Sequence, residues 1–183
     1  HQHILDPDTF HSRLPDLAWH GEDLDVTVLF FQPLFAKMAE SVTVGLCGQG
    51  ADELHAGYPR YRDLQSYSTV VSERLEDLNC DLSNLHGDSW WSDNHSADAH
   101  TNSLQDLLQF ELENGQLSNF QLRLVDRHSM AHGLEVRVPF LGSRHREASS
   151  KLPMDWRLPS SLEEKAALRS AAELTSLPTE IIR

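Results

Sequence analysis

The sequence predicts an α/β fold, a parallel sheet with covering helices followed by a mostly helical C-terminal half. Three observations carry this. The short run Val42-Thr43-Val44-Gly45-Leu46 is apolar and β-branched, stops at Gly48 and Gly50, and gives way to a helical segment from Ala51, so it reads as strand, turn, helix. A helix with Pro33 in its first turn, carrying Leu34, Phe35 and Met38, precedes that strand, and such alternation is what a parallel sheet requires. From Leu104 onward the apolar residues recur at helical spacing. With 183 residues, 39% hydrophobic and 23% charged, residues 1–183 are expected to form a single globular domain.

In chain order, His1 to Asp6 is a candidate strand, and Asp6-Pro7 supplies an N-cap with proline at the first helical position. Phe10, Leu14 and Leu17 then share a helix face, Pro15 marks a kink or break, and Trp19 to Asp23 reads as the following loop. Val26 to Phe31 is apolar. One convincing buried strand, Val42 to Leu46, and one possible strand at the N-terminus are too few for a doubly wound sheet, so further strands are expected before His1. Residues from about 79 to 102 are rich in Asn, Asp, Ser, His and Gly and read as an acidic loop insertion anchored by Trp90 and Trp91. A helical pair follows over Leu104 to Val125, interrupted at Gly115. Asp126 to Leu141 is dense in charged and apolar residues, unlike a surface loop, with Gly133 placed to follow a helix C-terminus. Ser160 and Ser161 with Glu163 and Glu164 match a capping box, which starts a helix near Leu162 and puts Lys165 and Arg169 on one face.

Composition restricts the function. A formal charge of −13 repels nucleic-acid phosphate, so nucleic acid is not an expected partner. The acids between Glu73 and Glu113 outnumber Arg74, the one cation there, and read as a solvated face. No apolar stretch approaches a membrane span and no charged-then-apolar leader opens the chain, so a cytoplasmic protein without a membrane partner is expected. Cys47 and Cys80 form no ligand or disulfide framework and are expected to be free thiols. The histidines and aspartates of the 79–102 loop fit no tight metal-ligand spacing.

The loop after the first strand has two readings. Gly48 and Gly50 let backbone N–H groups approach a ligand, the helix N-terminus from Ala51 favours phosphate, and Asp52 and Glu53 offer oxygen ligands to a hard cation; equally, the segment is an ordinary turn whose acids complement a helix dipole. Glu135 and Arg137, like Asp126 and Arg127, read either as ion pairs fixing a helix end or, for Glu135, as a carboxylate facing a cleft. Lys165 and Arg169 either grip phosphate or bridge neighbouring glutamates.

Together these segments resemble the synthetase domain of the glutamine-hydrolysing asparagine synthetases. That family has a Rossmann-like ATP-pyrophosphatase (adenine nucleotide alpha hydrolase-like) fold and is related to β-lactam synthetase. Its Leu-Ser-Gly-Glu-Gly-Ala-Asp-Glu followed by Gly-Gly-Tyr is matched by Leu46 to Glu53 with Ala56-Gly57-Tyr58; its Asp-Arg-x-Ser-Met-Ala-x-Gly-x-Glu-x-Arg-x-Pro-Phe-Leu-Asp by Asp126 to Leu141, broken at Gly142; its Lys-x-x-Leu-Arg by Lys165 to Arg169. The resemblance implies an enzyme that attacks ATP with the aspartate side chain, releases pyrophosphate and leaves an acyl-adenylate, which ammonia drawn from glutamine converts to asparagine. It implies that Asp52 binds Mg²⁺ on the triphosphate, that Cys47, Gly48, Gln49 and Gly50 line the ATP site, and that Lys165 reaches the phosphates. Glu135 would be the carboxylate of the amine step, whose tyrosine partner in the β-lactam branch has Gln49 in its place. An N-terminal glutaminase domain is the implied partner in the complete protein. Gln49 stands where the family carries glutamate and Cys47 where it carries serine, and the Ser-Gly-Gly-x-Asp-Ser pyrophosphate loop does not occur in the 183 residues. The chain alone is therefore expected to be inactive. These departures also support a second reading, a degenerate asparagine synthetase-like scaffold that binds a partner without catalysis.

Overall fold

The computed structural model describes residues 6–22, 31–64, 66, 104–113, 115–161 and 163–182. The candidate strand over His1 to Asp6, the run from Val26 to Phe31, Cys80 and the 79–102 loop fall wholly or almost wholly outside the described residues.

Helix α1 spans Pro7–Gly21 and begins at the proline that the Asp6-Pro7 pair predicts. It does not end at Pro15, and Trp19, His20 and Gly21, read from the sequence as loop, are its last turn. Arg127 holds that turn from across the fold: one guanidinium nitrogen donates to the Gly21 carbonyl at 2.7 Å and another pairs with Glu22 at 3.1 Å. This satisfies a helix-end carbonyl that would otherwise need water. Leu14 and Leu17 face Phe120 and Leu124.

Helix α2, Gln32–Ala39, has proline in its first turn and buries Phe35, which joins Val125 and Leu134 in a core that Met38 and Cys47 flank. Strand β1 is Val44–Leu46 and strand β2 is Glu135–Arg137; they pair in parallel, Val44 with Glu135, Gly45 with Val136 and Leu46 with Arg137. The expectation of a buried apolar strand is corrected here. Val42, Val44 and Leu46 are 46%, 36% and 72% exposed, and the buried position is Gly45. The side of the sheet that Gly45 presents lies so close to Met38 and Leu134 that a methyl group there would sit 2.6 Å from Met38 Cε; among the described residues no layer covers the other side. Strand β2 emerges from the 126–141 segment, whose three strand residues alternate too briefly to show a period of two.

Helix α3 is Ala51–His55, and a 3₁₀ turn follows at Pro59–Arg62. Helix α4, Leu104–Glu113, is broken near Gly115 as expected; a π-helical turn, Leu117–Gln121, then leads into α5, Leu122–Met130. Leu107, Leu108, Leu117, Leu124 and Val125 are buried, as their spacing predicts. Glu111, assigned from the sequence to a solvated acidic face, is also buried, because Arg60 reaches it at 3.0 Å and the Gln116 N–H donates to it at 3.1 Å. A charge so placed needs both a partner and hydrogen bonds.

After β2 come a 3₁₀ turn at Pro139–Leu141 and helices α6, Ser143–Ser150, α7, Met154–Arg157, α8, Ala166–Glu173, and α9, Thr179–Ile182. Helix α8 begins four residues after the Leu162 start that the capping-box pattern implies. Lys165 adopts a left-handed backbone, φ 54°, ahead of it, so Lys165 and Arg169 do not share a helix face. No helix among the described residues is long and apolar enough to cross a membrane.

Candidate active site

Helix α3 organises the region that the sequence singled out. It has only five residues, of which Ala51, Glu53, Leu54 and His55 are buried, and it packs against α4, α6, α8 and the Pro139–Leu141 turn. Its entry depends on Gly50, whose φ of +89° is a left-handed conformation that other residues adopt at a cost. Leu141 closes over that residue: a Cβ at Gly50 would lie 2.3 Å from Leu141 Cδ2. The 46–58 and 126–141 segments are thus one packed unit, joined also by the Cys47 N–H bond to the Arg137 carbonyl at 2.9 Å.

Asp52 and Lys165 meet at this unit, Nζ to Oδ1 2.8 Å, each side chain about a quarter exposed. Gly57 leaves the space they occupy. A Cβ there would lie 2.1 Å from Asp52 Oδ1 and 2.2 Å from Lys165 Cε, while the Gly57 N–H donates to the Asp52 carbonyl at 2.9 Å. The approach of Lys165 is fixed on either side: Glu164 pairs with Arg62 at 2.7 Å, and Arg169 donates to the Glu164 carbonyl at 2.9 Å and to the Ile182 carbonyl. Arg169 therefore serves the backbone around Lys165.

Of the remaining residues that the sequence singled out, Cys47 and Gly48 follow β1 directly at the carboxyl end of the two strands, with Gln49 and Gly50 leading into α3. Cys47 is a free thiol, half-buried against the Phe35 core. Gly48 is exposed with open space beside it. Glu135 begins β2 opposite Val44, at the amino end of the pair, and its carboxylate accepts from Arg137 Nε at 2.8 Å, both side chains well exposed. Asp52 and Lys165 are brought into contact; Glu135 is engaged by Arg137.

Beneath Asp52 lies a polar layer that sequence reasoning missed. Glu53 is fully buried, and its two oxygens have no hydrogen-bond partner of ordinary geometry among the described residues. Burial raises its pKa, helped by the charges of Asp52 and Glu111 and partly offset by hydrogen bonding. Tyr58, whose hydroxyl accepts from Gln121 at 3.0 Å, is pushed up to about 12 by burial and then by the Glu53 charge. The Arg60 guanidinium stacks 4.1 Å over the Tyr58 ring on its way to Glu111. On the opposite flank the Nε2 atoms of His55 and His145 lie at hydrogen-bond distance, 2.9 Å, with Ser149 Oγ 3.4 Å from His55. Burial, then the neighbouring His145, lowers His55 to about 4, so it is neutral at pH 7. The Gly57-Tyr58 pair was visible as part of a motif. The His55–His145 and Arg60–Glu111 contacts join distant segments and left no local pattern.

Among the described residues no cluster of three or more His, Cys, Asp or Glu side chains is disposed to hold a metal. A single carboxylate such as Asp52 nonetheless suits Mg²⁺, which takes one or two protein carboxylates and completes its shell with water and substrate phosphates.

The sequence model of the family described as Asparagine synthase matches residues 1–183. The chain belongs to the asparagine synthase family. It is similar to the bovine protein named asparagine synthetase [glutamine-hydrolyzing], 43% identical over 68 residues, which are 37% of this chain and 12% of the relative. The human protein of that name is 41% identical over 68 residues, with the same shares covered. A Bacillus subtilis asparagine synthetase [glutamine-hydrolyzing] 1 is 34% identical over 62 residues, 33% of this chain and 10% of the relative. The matched stretch thus spans only about a tenth of the length of these asparagine synthetases.

Proposed function

We propose that residues 1–183 are a single partial synthetase-type domain of an ATP-dependent, glutamine-hydrolysing asparagine synthetase, with a partial Rossmann-like ATP-pyrophosphatase fold and an acidic insertion at about 79–102. It converts aspartate, ATP and ammonia released from glutamine to asparagine, AMP and pyrophosphate through an acyl-adenylate, in the cytoplasm, with a glutaminase domain as partner. The observation that carries this is the Asp52–Lys165 pair, an oxygen ligand and a mobile cation from two separate motifs held together over Gly57.

The roles follow from chemistry. Asp52 would hold Mg²⁺, which when bound neutralises triphosphate charge and makes the α-phosphorus approachable by a carboxylate. Lys165, a point charge on a flexible stem, leaves Asp52 for the phosphate oxygens and stabilises charge on the departing pyrophosphate. Cys47, Gly48, Gln49 and Gly50 line the nucleotide side, where the left-handed Gly50 turns the backbone. Glu135 acts at the amine step after release from Arg137.

The second reading is a non-catalytic scaffold. Cys47, packed toward the core where the family has a serine, and Gln49, where it has glutamate, favour it. Aspartate-dependent pyrophosphate release from ATP separates the two. We expect none from residues 1–183 alone. With the upstream reading frame attached we expect turnover that Asp52→Asn or Lys165→Met lowers by at least about a hundredfold. Turnover unchanged in Asp52→Asn overturns the site assignment, and a longer protein without turnover supports the scaffold.

A further inference from the structure

A cavity of about 390 Å³ lies between α3, α4, α6 and α7. Leu54, Leu108 and Leu112 line it with hydrocarbon, and Arg146 and Arg157 with guanidinium groups. Helix α3 thus serves two places, Asp52 engaging Lys165 and Leu54 walling the cavity.

The arginines are what this cavity does not explain by itself. In a chain of formal charge −13, two arginines on one cavity reverse the local sign. Glu147, the carboxylate among the lining residues, is matched by Lys151 at 2.7 Å, and among the described residues neither arginine has an ion pair. Arg157 is only 6% exposed; it donates to the Ser149 carbonyl, and its Nε is buried without a partner among the described residues. Burial lowers its pKa, the mark of a cation held in poor solvent. A buried guanidinium with donors unused carries a free-energy cost that an anionic acceptor removes. Helix α6 divides its faces accordingly: Ser143, Arg146, Glu147 and Ser150, spaced i, i+3, i+4 and i+7, line the cavity, while His145 and Ser149 turn to His55.

We propose that this cavity binds a small amphipathic carboxylate, its carboxylate held by Arg146 and Arg157 and its hydrocarbon body laid on Leu54, Leu108 and Leu112. The volume suits a small molecule, since ligand pockets begin at roughly 300 Å³. The planar guanidinium matches a carboxylate, and the leucines give an apolar body a place that inorganic phosphate cannot use.

Calorimetric titration of the full chain with octanoate, 1-octanol, octylamine and inorganic phosphate tests this. Saturable binding of octanoate at one site is expected, with octanol and phosphate each at least about tenfold weaker and octylamine without binding. Arg146 is exposed, so Arg146→Gln should fold normally and weaken octanoate about tenfold while leaving octanol unchanged. Asp52→Asn should leave octanoate binding intact. Equal affinities for octanoate and octanol, phosphate binding as tight as octanoate, or octanoate binding indifferent to Arg146→Gln would each overturn the proposal.

Discussion

Gly57→Ala puts a single methyl group into the Asp52–Lys165 contact. Gly57 does not have a left-handed φ, so alanine meets no backbone penalty, and its effect comes from a Cβ placed 2.1 Å from Asp52 Oδ1 and 2.2 Å from Lys165 Cε. Both contacts are with the ends of flexible side chains, which must separate to admit it. Crowding costs about 1–3 kcal/mol and the partly exposed ion pair contributes about 0.2–1 kcal/mol, whereas the stiffer unfolded chain returns about 0.4–1 kcal/mol. The net is a loss of about 2 kcal/mol, which for a chain of this size lowers Tm by about 4–8 °C. Urea and thermal unfolding of the single variant measure the loss. The decisive comparison repeats Gly57→Ala in an Asp52→Ala/Lys165→Ala background. There the opposing atoms are gone, and the substitution should become neutral or stabilise by about 0.4–1 kcal/mol. A loss of the same size in both backgrounds would falsify the idea that Gly57 exists to seat this pair.

Gly50→Ala combines a left-handed alanine with a clash against Leu141 and should cost about 2–4 kcal/mol in urea unfolding; partial rescue by Leu141→Ala is expected, and rescue to no degree counts against the contact. Arg60→Met removes the guanidinium paired with the buried Glu111, so a loss of about 3 kcal/mol is expected, much of it regained in Arg60→Met/Glu111→Met. His55 has a folded pKa near 4 against an ordinary 6.5, so the unfolded chain binds its proton first as pH falls. Stability should be full above about pH 6.5 and decline by about 3 kcal/mol toward pH 4 on this account. His55→Gln should flatten that decline in denaturant titrations at pH 7.5 and 4.5, leaving the slope from His128 and His132, whose pKa values are also lowered by burial. Glu53, raised by burial, acts oppositely: its carboxylate destabilises the fold as pH rises, so Glu53→Gln should stabilise more at pH 8 than at pH 5.

The local pieces were legible in the sequence because each has a local cause. Pro7 and Pro33 start helices by their fixed φ, Gly115 interrupts the helical pair where periodicity falters, and the leucines from Leu107 to Leu124 face inward at the spacing of a helix. Family membership was equally legible, since Leu46 to Tyr58, Asp126 to Leu141 and Lys165 to Arg169 are ordered motifs that need no structure to match. Tertiary structure decided what depends on two distant segments at once. The outward face of Val44 and Leu46 was set by Met38 and Leu134 crowding the Gly45 side; the burial of Glu111 was set by Arg60; the persistence of α1 through Gly21 was set by Arg127. Lys165 sits before its helix because it bonds Asp52 while Arg62 and Arg169 hold Glu164, a competition between side chains that no capping-box pattern encodes. Spacing along a chain reports which residues share a face, whereas pairing across the fold depends on which faces the packing brings together.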